Sequence, residues 1–173
     1  KGIRATSIPG LTESQIGGLG SDKLGAMNQS QVQSLTARQL AAIPKDDLQN
    51  WSADAVSLLT KNQLKVFNAD QMGVMNYQQI DALAYARKLG LLSLRQIASI
   101  DPNTISSVDK STITKLSAAQ ISVLTTAQVA ALGTAQIQAI DATDIRTMSA
   151  DQIAALSPTQ AAALTTSQIA NLG

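Results

Sequence analysis

The chain has 173 residues, a formal net charge of +1 from 13 basic and 12 acidic side chains, and neither histidine nor cysteine. That balance leaves no basic footprint for nucleic acid or an anionic membrane, and the missing residues exclude imidazole, thiolate and disulfide chemistry. With 45% hydrophobic residues but only 2% aromatics, any core is built from Leu, Ile, Val and Ala.

The start, "KGIRATSIPG", has no hydrophobic signal core, and no apolar run approaches the roughly 20 residues of a membrane span. From Ile3 an apolar residue recurs every eight positions: Leu11, Leu19, Met27, Leu35, Ile43, Trp51, Leu59, Phe67, Met75 and Leu83. A second aliphatic row lies five residues on, as in Ile8, Ile16, Leu24, Val32 and Leu40. A continuous helix cannot use this period, because eight residues advance about 800° and the apolar row would spiral around the axis. A strand would place the two rows on opposite faces.

The polar residues resolve the conflict. Counting the recurring apolar residue as position 0, position +1 is Ser, Thr, Asn or Asp in 16 of 22 units and position +4 is Gln in 13 of 21. That pair is a capping box: the small side chain accepts from the N3 amide, and the Gln reaches back to the N-cap amide. The two aliphatics then sit at N′ and N4 as a hydrophobic staple. Each octad therefore predicts a new short helix starting after +1 and ending near the next position 0. Small residues at +7, such as Gly18 and Ala26, let the chain turn closely. Such helices are unstable alone, so they must stack into an all-α solenoid with a shared core.

Between Leu83 and Leu92 one residue is inserted, and neither Ala84 nor Tyr85 can cap a helix. The expectation is a helix over Tyr77 to Leu89, about twice the usual length, stopped by a left-handed Gly90. The domain division that follows is an array over 1–83, a register-shift segment over 84–91 within the longer helix, and a second array over 92–173. Within the segment, "YARKLG" is the one locally basic stretch and reads as a solvated helix face.

From Leu92 the eight-residue step resumes to Leu172, with Ile137, Ile145, Ile153 and Ile169 in the second row. Pro102 and Pro158 each follow a cap residue, at N1, where proline suits a helix. The chain begins in mid-repeat and ends at a repeat boundary, the expected look of a piece of a longer array.

Candidate sites have structural explanations. The glutamine row is occupied by capping. Asp46 with Asp47, and Asp141 with Asp144, are acidic pairs, but the first lies in an opening turn where carboxylates suit the helix dipole. Asp141 is a cap and Asp144 stands in the Gln position, without the spacing of a calcium loop. Trp51 and Phe67 belong to the core row, whereas Tyr77 and Tyr85 fall outside it and are expected to be exposed. No Ser or Thr has a histidine to activate it, and "GGLG" at Gly17 to Gly20 lacks the Lys of a phosphate loop. No catalytic residue, cofactor or metal ligand is assigned, and the expectation is a non-enzyme.

The units "LTTAQVAA", "MSADQIAA" and "LTTSQIAN" resemble the octad arrays "LTxxQIxAL" of very large bacterial exoproteins labelled as heme-utilisation or adhesion-related, or grouped with calcium-binding repeat toxins. The resemblance runs through nearly the whole chain and implies an extracellular or cell-surface, stalk-like or adhesive segment. The heme part of the label finds no His or Cys ligand here. "LTTAQVAAL" is also similar to the opening of transcription-activator-like DNA-binding effector repeats, but those repeat every ~34 residues and pair base-reading residues that are missing here. The functions left are a structural spacer, fibre or adhesive array, with adjacent repeats of the same or neighbouring chains as partners, and a soluble solenoid scaffold for a protein or peptide. Neither involves nucleic acid or a membrane span.

Overall fold

The computed structural model describes residues 3–172. Over that range the chain forms eighteen α-helices, seventeen of them four to six residues long and one of nine, with three short 3-10 segments and no strand among the described residues. Helices begin where the caps lie. The Thr125 hydroxyl accepts from the Gln128 N–H at 3.1 Å, and the Gln128 Oε1 accepts from the Thr125 N–H at 2.8 Å. The same reciprocal pair recurs from Thr12–Gln15 to Thr165–Gln168. Pro102 and Pro158 open their helices at the first position. Most helices end where the next position 0 donates its N–H to the +5 carbonyl, as Leu132 does to Val129 at 3.2 Å, and continues extended into the next cap; Val108 donates to Thr104 instead.

Helices of this length cannot persist alone. They are held by the helix three places later: Glu13–Gly17 packs on Ala37–Ala41, Ser21–Gly25 on Lys45–Gln49, and Pro102–Ser107 on Thr126–Ala131. The chain is therefore a superhelix of short helices. The +5 residues point inward and the position 0 residues close over them, giving one continuous core cluster from Ile8 to Met148. Trp51 and Phe67 lie in it as the period requires. Turns approach closely; a Cβ on Gly17 would sit 3.1 Å from the Ala42 carbonyl oxygen.

The inserted residue is absorbed differently from the sequence expectation. The helix there is the longest, but it runs Tyr77–Tyr85 and not to Leu89. The left-handed residue is Arg87, φ 58°, and not Gly90. Lys88 N–H bonds to the Leu83 carbonyl at 2.7 Å and Arg87 N–H to Ala84 at 3.0 Å, the two bonds of a Schellman stop. A 3-10 turn, Leu89–Leu91, follows. The helix stops early because Leu89 is needed in the inward row, where it is buried, and Lys88 is needed against the preceding turn.

Besides the seam, two octads depart from the rule of one α-helix each: the opening one, a 3-10 segment over Ala5–Gly10, and the one that begins at Ile140. There Asp141 accepts from the Thr143 N–H and hydroxyl at 2.7 and 2.6 Å, residues 141–144 form turns, and a 3-10 segment, Ile145–Thr147, follows.

Candidate functional site

The most developed polar arrangement in the molecule is the glutamine row, and capping accounts for only half of its chemistry. While Oε1 of Gln128 caps its own helix, Nε2 donates to the carbonyls of Ile100 at 2.7 Å and Ile97 at 2.9 Å, which lie 28 and 31 residues back. Gln39, Gln63, Gln79, Gln120, Gln136, Gln152, Gln160 and Gln168 repeat both bonds at the same two separations. One acceptor is the +5 carbonyl, already bonded once by the helix stop. The other is the position 0 carbonyl. A spacing of 28 residues is three and a half octads, and it sets the size of one superhelical turn.

This ladder explains why the row is Gln and not Glu. Either residue completes a capping box, but only the amide carries two N–H groups for the turn before it. The chain holds a single Glu, Glu13, at position +2. Gln128 is 0% exposed, and buried polar groups must be paired. Both amide hydrogens and the oxygen are.

The substitutes at position +4 show what the position demands. Lys88 sits there at the seam, and its ammonium donates to the carbonyls of Ser57 and of Leu59, the latter at 2.8 Å. Desolvation lowers its pKa from the ordinary 10.5. The reading of "YARKLG" as a solvated face thus holds for Arg87, which is exposed, and fails for Lys88. Gln96, just past the seam, reaches back 29 and 32 residues to Phe67 and Leu64, one more than elsewhere because of the insertion. The ladder and the core both cross the seam. Thr104 covers one carbonyl, that of Met75 at 3.0 Å, and Thr112 turns to the Asp81 carboxylate at 2.6 Å.

Asp47 accepts from the Ser21 N–H at 3.1 Å, joining two turns, while Asp46 is exposed. Asp141 is exposed, and its pKa is held low by the hydrogen bonds from Thr143. Asp144 occupies the Gln position but has no N–H to offer the Ile113 and Leu116 carbonyls. A small cavity of about 130 Å³ lies there, lined by Ile113, Leu116, Ile121, Ile140 and Asp144 among others. Neither acidic pair is part of a group of three or more potential metal ligands among the described residues. Tyr85 is 70% exposed and Tyr77 is also exposed. The Trp51 Nε1–H is buried without a hydrogen-bond partner among the described residues.

A family model for the ALTTAQ repeat matches residues 137–173, the last octads of the array. Comparison with curated proteins gives no match. The periodic sequence, the stacked short helices and the family match agree that this is a helical repeat array.

Proposed function

We propose that the chain is a non-enzymatic structural segment, a stalk, spacer or adhesive array of a bacterial surface or secreted protein, working outside the cell. The observation that supports this most is the use made of its polar side chains. The position +4 glutamines from Gln39 to Gln168, rich enough in donors and acceptors to recognise a ligand, are turned inward and bonded to the turn before them. The outward positions +2, +3 and +6 carry mostly Ala, Ser, Thr and Gln. A rod that satisfies its own backbone at every turn keeps its length without a partner, which is what a spacer needs.

A second reading, a scaffold that binds a protein partner, is favoured by one region. Tyr77, Tyr85 and Leu94 are large exposed hydrophobics on either side of the seam. An open cleft of about 630 Å³ beside it is lined by Ala84, Tyr85, Arg87, Leu89 and Lys115 among others.

The test displays the array on a cell between an anchor and a terminal tag. Removing seven whole octads, two turns of 28 residues, keeps the octad register and should shorten the reach of the tag by two superhelical steps. The triple change Tyr77→Ser, Tyr85→Ser, Leu94→Ser should leave reach and cell attachment unaltered. Loss of attachment on the triple change, with reach preserved, would replace the spacer by the scaffold.

A further inference from the structure

Charge is unevenly placed along the superhelix. Residues 84–115 carry five basic side chains and two acidic ones, whereas residues 116–172 carry three acidic and one basic. Three of the cations, Arg87, Lys110 and Lys115, are exposed. None of them is paired with a carboxylate, since the one salt bridge among the described residues joins Lys45 to Asp70. Asp81 and Asp109, on the helices these cations flank, are committed elsewhere. Asp81 accepts from the Asp109 N–H at 3.1 Å and the Thr112 hydroxyl at 2.6 Å, and Asp109 accepts from the Ser111 N–H at 2.7 Å.

The cations line a groove that crosses three turns of the superhelix. The seam cleft of about 630 Å³ holds Tyr85, Arg87 and Lys115, and it shares Ser111 with a second cleft, of about 340 Å³, lined by Lys110, Thr114 and Gln138 among others. Thr114 and Ala139 are common in turn to that cleft and to the cavity of about 130 Å³ at Asp144. Packed helices lie about 8–10 Å apart, so the two steps from the seam to Asp144 span about 16–20 Å. Five or six extended residues, at ~3.3 Å each, cover that distance.

The Asp144 end of the groove lacks a donor. The carbonyls of Ile113 and Leu116 lie 31 and 28 residues before Asp144, the separations at which the ladder glutamines donate, and they receive no side-chain donor among the described residues. Both residues are buried, where a backbone carbonyl needs a partner. Lys88 shows what else can serve such a pair. From the same octad position its ammonium donates to the carbonyls of Ser57 and Leu59. A carboxylate in that position, facing a cavity with two unserved carbonyls, makes a socket for an ammonium brought from outside.

We propose that this groove docks an extended segment of another protein, acidic where it crosses Arg87, Lys115 and Lys110, with a lysine that enters the cavity at Asp144. The carboxylates of the segment pair the three cations. Its ammonium pairs Asp144 and supplies the N–H groups that Ile113 and Leu116 lack, and the opposite charges at the two ends set which end lies at the seam. A simple anion would meet the cations but leave Asp144 unanswered, so the charge pattern fits a peptide of mixed sign. The proposal rests on the scaffold reading, whose own test is cell attachment, and a rod can act as a spacer with the groove filled or empty.

The probe is a dye-labelled, end-blocked peptide, Glu-Glu-Glu-Ser-Ala-Ser-Lys, made in this order and reversed, and titrated with the full chain by fluorescence anisotropy. One of the two orders should bind with a Kd below about 1 mM, more weakly as salt is raised. Lys115→Glu should weaken it at least about threefold. Replacing the lysine of the peptide by Glu should weaken binding to the wild type at least about tenfold, and Asp144→Lys should invert that preference. Lys115 is exposed and Asp144 half-buried, so helical circular dichroism of both variants should match the wild type. The comparison of the two peptides on the wild type needs no variant and decides the matter even where a variant disturbs the fold. Binding in neither order, binding indifferent to Lys115→Glu, or equal binding of the Lys and Glu peptides to the wild type would overturn the proposal.

Discussion

Replacing Gln128 by Glu isolates the ladder from the cap. The carboxylate can still accept from the Thr125 N–H, the 2.8 Å bond that caps the helix, but it cannot donate. The Ile97 carbonyl keeps its bond from the Ile100 N–H at 3.2 Å and loses only the second one. The Ile100 carbonyl loses the side-chain bond that serves it, in a place where Ile100 is buried. One net hydrogen bond lost is about 1 kcal/mol, and a buried carbonyl left unpaired adds about 1–3 kcal/mol. The introduced carboxyl also faces two carbonyl oxygens without water, which raises its folded pKa above the unfolded value of about 4.3. The Gln128→Glu change should therefore cost roughly 3–5 kcal/mol at neutral pH. The sign with pH follows from linkage. A carboxyl with a raised folded pKa destabilises most above that pKa, and the loss shrinks as pH falls and the neutral acid regains one donor. Gln15→Glu is the internal control, since Gln15 is exposed and its Nε2 serves no carbonyl among the described residues; it should change stability by no more than about 0.5 kcal/mol. Urea unfolding followed by circular dichroism, at neutral and acid pH and at low protein concentration, separates the two. Equal costs at the two sites, or a Gln128→Glu cost within about 0.5 kcal/mol of zero, would refute the ladder's part in stability.

Asp144→Gln should complete a capping box with Asp141 and donate to the Ile113 and Leu116 carbonyls, stabilising by about 1–2 kcal/mol. The gain should appear as a higher urea midpoint and slower amide exchange at residues 145–147. Arg87→Gly removes a side chain from a left-handed position, φ 58°, and should stabilise by about 0.5–1 kcal/mol in the same urea assay. Asp141 and Asp109 have lowered pKa values, caused first by hydrogen bonds from Thr143 and Ser111. Their contribution is present above the ordinary value of 3.8 and is lost as pH falls below it, so Asp141→Asn and Asp109→Asn should flatten the acid limb of the stability profile.

The local half of this structure was legible in the sequence because capping acts over three residues. Thr125 and Gln128 reveal the helix start between them, and the staple reveals which two side chains turn inward. The cross-turn half was not, because a separation of 28 residues follows from the twist of the superhelix and leaves no pattern in any one octad. Its trace was the choice of Gln over Glu, which capping alone does not require. At the seam, the lack of a cap at Ala84 correctly marked where the helix would run on. Its end at Tyr85 was set by the tertiary demand for Leu89 in the core and Lys88 on the ladder, and so lay beyond local propensity. Asp141 passed as an ordinary cap, but its side chain closes on Thr143 and not on the N3 amide, and Asp144 has no side-chain N–H to supply what Gln supplies elsewhere.

The central claim is that glutamine side chains bind each turn of the superhelix to the one before it. The most direct measurement is the set of nuclear Overhauser contacts from the Gln128 side-chain amide protons. They should reach the α-protons of Ile97 and Ile100, with the matching set from Gln136 to Ile105 and Val108. Contacts confined to Thr125 and its own helix would contradict it.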